Sequence, residues 1–366
     1  MKKIAVLTND LQYELVEKNQ DRIDAVENVK NEFCGPAGTD ATEAAIKLFR
    51  TATKRNPIIS FHGAYHGMTM GAISLTGNLA IKKEIGVSMP DVHFFPFPYE
   101  FRNPYGNSNG KIIETSLSHI KSTLIDPNSG ILKPAAIIVE AIQGEGGCIP
   151  APNKWLKGLK NICEELDIPL VLDEIQSGFG RTGKMFAFEH ADIIPDAVLL
   201  SKAVGGGLPL SLLVYNKKFD IWNTGAHTGT FRGNQLAMVA GAESLNMLLE
   251  GNIIQEVNHK SSFMMKRLNS MKDKYLIIGD VRGKGLMLGI EIIKPNENDS
   301  SGNPKANGEL ANAIKHECFK RSLILENGGR EGCVLRFLPA LTISIDLLDE
   351  SLSILEDVLK EINCYE

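Results

Sequence analysis

Short apolar runs, each no longer than a buried strand, alternate along this sequence with stretches of helical periodicity. That alternation limits the folds open to the chain more than any other feature. Ile58–Phe61, Ala135–Val139, Leu170–Leu172 and Ala197–Leu200 read as strands covered on both faces, as does Ile4–Leu7 near the start. Between them Thr42–Lys54, Ile113–Ile125 and Asn153–Leu166 read as helices, the last ended before Ile168 and Pro169. Strands alternating with helices predict an α/β fold with a mostly parallel sheet. From Gln235 to about Met271 the only glycine breakers are Gly241 and Gly251, so long helices leave the first domain there. A smaller α+β domain follows, with strands at Leu286–Ile293 and Val334–Leu338 and a closing amphipathic helix at Leu347–Ile362. The expected boundary lies near residue 255, giving a large domain 33–255 and a small C-terminal domain 256–366. Within the latter, Lys294–Gly308 is rich in Asn, Ser, Gly and Pro and reads as an exposed loop or a disordered insertion.

Charge and cysteine usage exclude whole classes of partner. The 366 residues carry 39 Lys and Arg against 44 Asp and Glu, a net charge of -5, so no basic field exists to hold nucleic acid or an anionic membrane. The expected partner is a small molecule or another copy of the chain. Cysteines stand at 34, 148, 163, 318, 333 and 364 with no C-x-x-C pair, which points to neither a zinc site nor a disulfide framework and fits reduced, cytoplasmic thiols. The apolar run after Met1-Lys2-Lys3 is too short for a signal sequence, and no window approaches the ~18 apolar residues of a membrane span. A soluble, cytoplasmic protein is expected.

Four stretches carry chemistry. Phe33 to Ala41 is a small-residue turn running into a helix; free backbone N–H groups there, with Gly38 allowing close approach and Thr39 offering a hydroxyl, make a phosphate cradle. Its plainer alternative is an ordinary capped helix start. Tyr65-His66-Gly67 follows a strand, where an aromatic ring can stack on a flat heteroaromatic ligand or simply form a partly buried polar turn. Leu170 to Asp173 is an apolar strand that ends in Asp173-Glu174 and then a glycine-rich loop through Gly183. An acid at the carboxyl edge of a parallel strand points into the ligand crevice; no His or further acid follows at ligand spacing, so an acid holding a ring nitrogen protonated fits better than a metal. Ala197 to Leu200 leads to Lys202 and then to Gly205-Gly206-Gly207, placing an amine in the crevice among small residues, where burial and neighbouring cations keep it partly deprotonated, as a Schiff-base lysine requires. A phosphate cradle, a ring stacker, an acid for a pyridinium nitrogen and an imine lysine, in that order, ask for pyridoxal 5'-phosphate.

On these residues the segment from Phe33 to Ile345 resembles the class III, or omega-amino acid, aminotransferases of the fold type I pyridoxal-phosphate enzymes, and Val171 to Gly207 matches their signature throughout. Phe33–Arg50, Ser60–Gly77, Glu140–Gly147 and His227–Ala237 resemble the diaminobutyrate-2-oxoglutarate aminotransferases more closely. The resemblance implies that Lys202 forms the imine and shuttles the proton, that Asp173 pairs with the pyridinium nitrogen, and that Gln176 hydrogen-bonds near the phenolic oxygen. It implies that Tyr65 stacks on the ring with His66 beside it, and that Gly38 and Thr39 bind the phosphate. Thr230, in His227-Thr228-Gly229-Thr230-Phe231, would join them from the other subunit of a homodimer. Arg336 matches the arginine that pairs with the α-carboxylate of glutamate or 2-oxoglutarate, and Glu145 the acid that pairs with this arginine when a terminal amine is the substrate. The implied reaction moves the terminal amino group of a diamino acid, 2,4-diaminobutyrate foremost, with ornithine, 4-aminobutyrate or another ω-amine as alternatives, to a 2-oxo acid.

The family pattern carries a longer segment ahead of the motif that starts here at Phe33, so residues 1–32 are expected to be an atypical N-terminal segment. Lys2 to Gln12 resembles the first strand of isochorismatase-like hydrolases, with Asp10 at its end. The alternative that this shortening suggests is an impaired paralogue that binds the cofactor or a full-length partner without efficient turnover.

Overall fold

The computed structural model describes residues 29–86, 88–106 and 110–363. The strand expected at Ile4–Leu7, the N-terminal residues 1–28 and Asp10 with them, and Cys364 lie outside the described residues. Seven strands form the large sheet: β1 (Val29–Gly35), β2 (Ile58–Phe61), β3 (Val92–Phe95), β4 (Ala136–Glu140), β5 (Leu170–Asp173), β6 (Ala197–Leu200) and β7 (Ser211–Asn216), in the order β1-β7-β6-β5-β4-β2-β3. Every pairing from β6 across to β3 is parallel, and β7 runs antiparallel to both β6 and β1. β1 therefore points the same way as the parallel strands, and its carboxyl end lies on the same edge of the sheet as theirs.

Alternation along the strands builds two cores. On one face Ile58, Ile138 and Val171 meet Ala41, Ala45, Leu48 and Phe49 of α1 (Gly38–Thr53). On the other, Ile59, Ile137, Val139 and Leu172 meet Trp155, Leu156 and Leu159 of α3 (Asn153–Glu165), beside which lies α2 (Ile112–Ile125). Successive side chains point to opposite faces, and both faces are covered, so these strands read as unbroken apolar runs. Trp155 keeps its one polar atom satisfied by donating to Ser116 Oγ of α2 at 2.9 Å.

Two long helices, α4 (Gln235–Glu250) and α5 (Ile253–Lys274), lead to a second sheet of β8 (Ile278–Lys284), β9 (Met287–Asn298), β12 (Val334–Phe337) and β11 (Glu326–Gly328), with β10 (Pro304–Ala306) paired to β9. Helices α6 (Gly308–Lys320) and α7 (Ile345–Asn363) pack on it, so that Val257, Met264 and Leu268 of α5 share a core with Leu288, Ile290, Leu352 and Leu355. The boundary expected near residue 255 falls in the first turn of α5. The segment 294–308 departs from expectation: β9 runs on to Asn298, and β10 returns to it with Ile293 opposite Ala306 and Asn298 opposite Pro304. Backbone hydrogen bonding holds this polar stretch as a hairpin, which its composition does not reveal. Among the described residues no helix is long and apolar enough to cross a membrane, and Cys34, Cys148, Cys163, Cys318 and Cys333 are buried free thiols.

Candidate active site

The carboxyl edge of the large sheet opens into a cavity of about 760 Å3 whose far wall comes from the second sheet and α6. Asp173, the last residue of β5, lies at its floor. One carboxylate oxygen accepts the Ile175 backbone N–H at 3.0 Å and the other faces Nδ1 of His66 at 2.8 Å. The His66 imidazole lines the cavity beside Asp173, with its side chain fully buried and Nε2 lacking any hydrogen-bond partner. Burial disfavours the imidazolium, yet the Asp173 hydrogen bond and charge outweigh it and raise the His66 pKa.

Glu140 completes this buried group. It ends β4 directly opposite Asp173, accepts the backbone N–H groups of Tyr65 at 3.0 Å and Gly144 at 2.9 Å, and so fixes the two loops that carry Tyr65 and Glu145. Burial pushes its carboxyl up to about 7, against the pull of the His66 charge. Sequence reading missed Glu140, although the rule that selected Asp173, an acid closing an apolar parallel strand, selects it equally. Glu174, the second acid of the pair, turns away from the cavity and accepts from Ser177 Oγ at 2.5 Å and from the Ala187 and Phe188 backbone at 3.0 and 2.9 Å.

The small-residue turn meets the cavity differently from expectation. Helix α1 starts at Gly38, four residues ahead of Thr42, which puts Gly38 and Thr39 themselves in its first turn, with no side-chain cap on that turn from Ala37. Thr39 Oγ1 lies 2.6 Å from Thr69 Oγ1 and accepts the Thr69 N–H at 3.2 Å. Gly67 packs on Thr39 so closely, at φ +121°, that a Cβ there would sit 2.6 Å from the threonine Cβ. Thr42 Oγ1 donates to the His66 carbonyl at 2.9 Å, tying the Tyr65–Gly67 loop to the same helix.

Lys202 follows β6 after Ser201 and lines the cavity with φ at +48°, a left-handed conformation uncommon outside glycine and costly unless its surroundings impose it. In the single chain this residue is exposed, not buried as the sequence reading required. Tyr65 is half-buried on the wall, and Gln176 packs against Gly144 with Oε1 buried and unpartnered. Burial and then the Glu145 carboxylate push the Tyr65 phenol up.

Across the cavity Arg336 projects from β12. Its Nη1 donates to Glu145 at 2.7 Å and its Nη2 to Glu326 of β11 at 2.9 Å, while Nε is buried without a partner. Glu326, Asn327 and Lys315 of this wall were not anticipated. The Glu326 pairing arises from antiparallel register, which places it opposite Arg336 and leaves no local sequence signal. The cavity thus gathers every expected site residue except Thr230, which is exposed on the chain's surface and does not line it.

These residues fit pyridoxal 5'-phosphate. An uncapped first turn with a hydroxyl beside it suits a phosphate, a buried carboxylate at a strand end suits a ring nitrogen, and the orphaned Gln176 oxygen is a buried polar atom still lacking a partner. Among the described residues no three His, Cys, Asp or Glu side chains are arranged to hold a metal ion.

Comparison with known proteins adds to this geometry. The family model for class III aminotransferases matches residues 1–359. The diaminobutyrate-2-oxoglutarate aminotransferase of Rhizobium meliloti (strain 1021) is 47% identical over 325 residues, 88% of this chain and 69% of that protein. The protein of the same name from Haemophilus influenzae is 46% identical over 317 residues, covering 86% and 69%. Among solved structures, taurine:2-oxoglutarate aminotransferase from Bifidobacterium kashiwanohense, in complex with PLP and glutamate, superposes with a TM-score of 0.83 at 28% identity, over 97% of this chain and 79% of that one. A PLP-bound amine transaminase from an uncultivated Pseudomonas species gives 0.83 at 24% identity, over 97% and 81%.

Proposed function

We propose, from the premise that this chain belongs to the class III aminotransferases, that it transfers the terminal amino group of 2,4-diaminobutyrate to 2-oxoglutarate with pyridoxal 5'-phosphate as cofactor. The observation that carries the reading is the Glu145–Arg336 pair on the same cavity as Lys202 and Asp173, at 2.7 Å, because it gives one site two states. With the pair closed, Arg336 is neutralised and offers nothing to a carboxylate beside the reacting carbon, which suits a terminal amine. With Glu145 turned away, Nη1 of Arg336 is freed for the α-carboxylate of glutamate or 2-oxoglutarate. Relatives at 46–47% identity that carry the name diaminobutyrate-2-oxoglutarate aminotransferase support the choice of donor and acceptor.

When bound, pyridoxal phosphate supplies a carbonyl that takes up an amino group and a ring that withdraws electrons from the substrate carbon. The chain's residues do the rest. The first turn of α1 and the Thr39 hydroxyl hold the phosphate. Asp173, oriented by His66 and the Ile175 N–H, would pair with the ring nitrogen, and Tyr65 and Gln176 would help to hold the ring. Lys202 Nζ removes the proton from the donor's terminal carbon and returns it on the other side of the exchange. The two backbone hydrogen bonds of Glu140 keep the Tyr65 and Glu145 loops in register.

A homodimer belongs to the same reading. It is supported by Thr230 standing outside its own chain's cavity, and by Phe231, 86% exposed, close to the exposed Leu236 and Val239. A second subunit over this face would also cover Lys202. The free thiols support a cytoplasmic setting. The test is glutamate formation from 2-oxoglutarate with diaminobutyrate, ornithine or 4-aminobutyrate as donor, in the wild type and Lys202→Ala. Diaminobutyrate should be preferred and Lys202→Ala inactive. Turnover retained in that variant removes Lys202 from the reaction, and a preference for another amine replaces the substrate. Cofactor binding without turnover of any donor would leave an impaired paralogue.

A further inference from the structure

Arg336 is closed by two carboxylates, and they are not equivalent. Glu145 takes Nη1 and Glu326 takes Nη2, with the guanidinium 3% exposed, Glu145 41% and Glu326 69% exposed. A guanidinium offers a carboxylate two forks of parallel N–H bonds: the end-on fork uses Nη1 and Nη2, and the side-on fork uses Nε and Nη2. Both contain Nη2. Nη2 carries two N–H groups, one for each fork, and Glu326 holds one of them, so Glu326 competes with an incoming α-carboxylate for the fork that this N–H serves, while Glu145 on Nη1 competes only for the end-on fork. Nε is buried without an acceptor and packs against Gly328.

We propose that Glu326 is a second lock on Arg336 and a specificity-determining residue, which favours the terminal-amine substrate and competes with the dicarboxylate acceptor for Nη2 and for the charge of the guanidinium. This rests on the reaction assigned above. The local construction fits a movable lock on a fixed bolt. Glu326 lies at the start of β11 directly opposite Arg336 on β12, so its backbone is held by strand pairing while its side chain faces water. Gly328, two residues on, lets the guanidinium stem lie against the strand, since a Cβ there would stand 2.7 Å from Arg336 Nε. With both locks in place the Glu145–Arg336–Glu326 group carries one net negative charge on the cavity wall, which attracts the ammonium of the donor and repels the acceptor's carboxylate. Glu326 is the exposed partner of this half-buried pair, so its side chain can turn into solvent while the guanidinium stays in place.

The experiment compares the wild type with Glu326→Gln and Glu326→Ala as cofactor-loaded proteins. In the pyridoxal form 2-oxoglutarate binds but has no amino group to accept, so calorimetry reads its affinity without turnover. Affinity for 2-oxoglutarate should rise about threefold to fivefold in both variants, the size expected for losing one exposed competitor for a charged hydrogen-bond donor. The gain should shrink as salt rises, because an exposed carboxylate is screened. In steady state the KM for 2-oxoglutarate should fall while the preference for diaminobutyrate over glutamate as donor declines. An unchanged or weaker affinity in both variants would overturn the proposal and make Glu326 a support that holds Arg336 in place. Failure of the proposed reaction is separately visible: with no diaminobutyrate turnover in the wild type, the calorimetric comparison still decides the role of Glu326.

Discussion

Glu174 gives the sharpest test of the electrostatics beneath the cavity. Its side chain is completely buried, and its pKa is pushed from an ordinary 4.5 to about 7 by burial, which outweighs its hydrogen bonds from Ser177, Ala187 and Phe188. Between pH 4.5 and 7 the folded chain keeps a proton that the unfolded chain has lost, so stability falls as pH rises through that window. The span from 4.5 to about 7, at 1.36 kcal/mol for each pH unit, is about 3 kcal/mol. Glu174→Gln is neutral at every pH and escapes this penalty. Its amide NH2 will face a backbone donor where a carboxylate oxygen stood, a cost of about 1–3 kcal/mol that does not vary with pH. The informative quantity is therefore the stability difference between variant and wild type as a function of pH, from urea unfolding of cofactor-free protein between pH 4.5 and 8. That difference should move by about 3 kcal/mol in the variant's favour across the range, with Glu140 and His66 contributing equally to both proteins and cancelling. A difference that stays flat would mean that the three donors hold the carboxylate charged throughout, and would refute the reasoning.

Two further substitutions probe the opposite walls of the cavity. Gly328→Val places a Cβ 2.7 Å from Arg336 Nε and 2.8 Å from its Cδ, so the guanidinium must shift; KM for 2-oxoglutarate should rise about tenfold to a hundredfold, while cofactor binding, followed by absorbance, stays intact. Thr39→Val removes the hydroxyl that donates to Thr69 and would turn to the phosphate when the cofactor binds, and should weaken cofactor binding about tenfold in a fluorescence titration.

Where a functional residue announces itself depends on how it is placed. Asp173 and Lys202 stand at or just beyond the ends of short apolar strands, and a parallel sheet directs such positions into one crevice, so local sequence carries their location. Glu140 obeys the same rule, closing β4 just ahead of the glycine-rich stretch Gly144 to Gly147, and is legible in the same way. Glu326 has no such mark, since its partner is ten positions away across an antiparallel register. The strands tell the same story. β6 is apolar throughout and β2 is apolar but for Ser60, and both read with their observed bounds, whereas β1 carries Lys30, Asn31 and Glu32 on the sheet edge, where one side has no neighbour among the described residues. The β9–β10 hairpin is polar and partly exposed, and its turn-rich composition hid the pairing. His66 shows the limit of a motif: its place in the sequence is plain, but only the fold reveals its hydrogen bond to Asp173.

The central claim is that Lys202 and Asp173, with a gated Arg336 opposite, form a site that takes an amino group from a terminal amine. An absorbance spectrum of the purified protein with pyridoxal phosphate, before and after addition of 2,4-diaminobutyrate, tests it most directly. The account predicts a visible band of lysine-bound cofactor that diaminobutyrate converts to the pyridoxamine form and 2-oxoglutarate restores. A band that diaminobutyrate leaves unchanged, or no band at all, would contradict it.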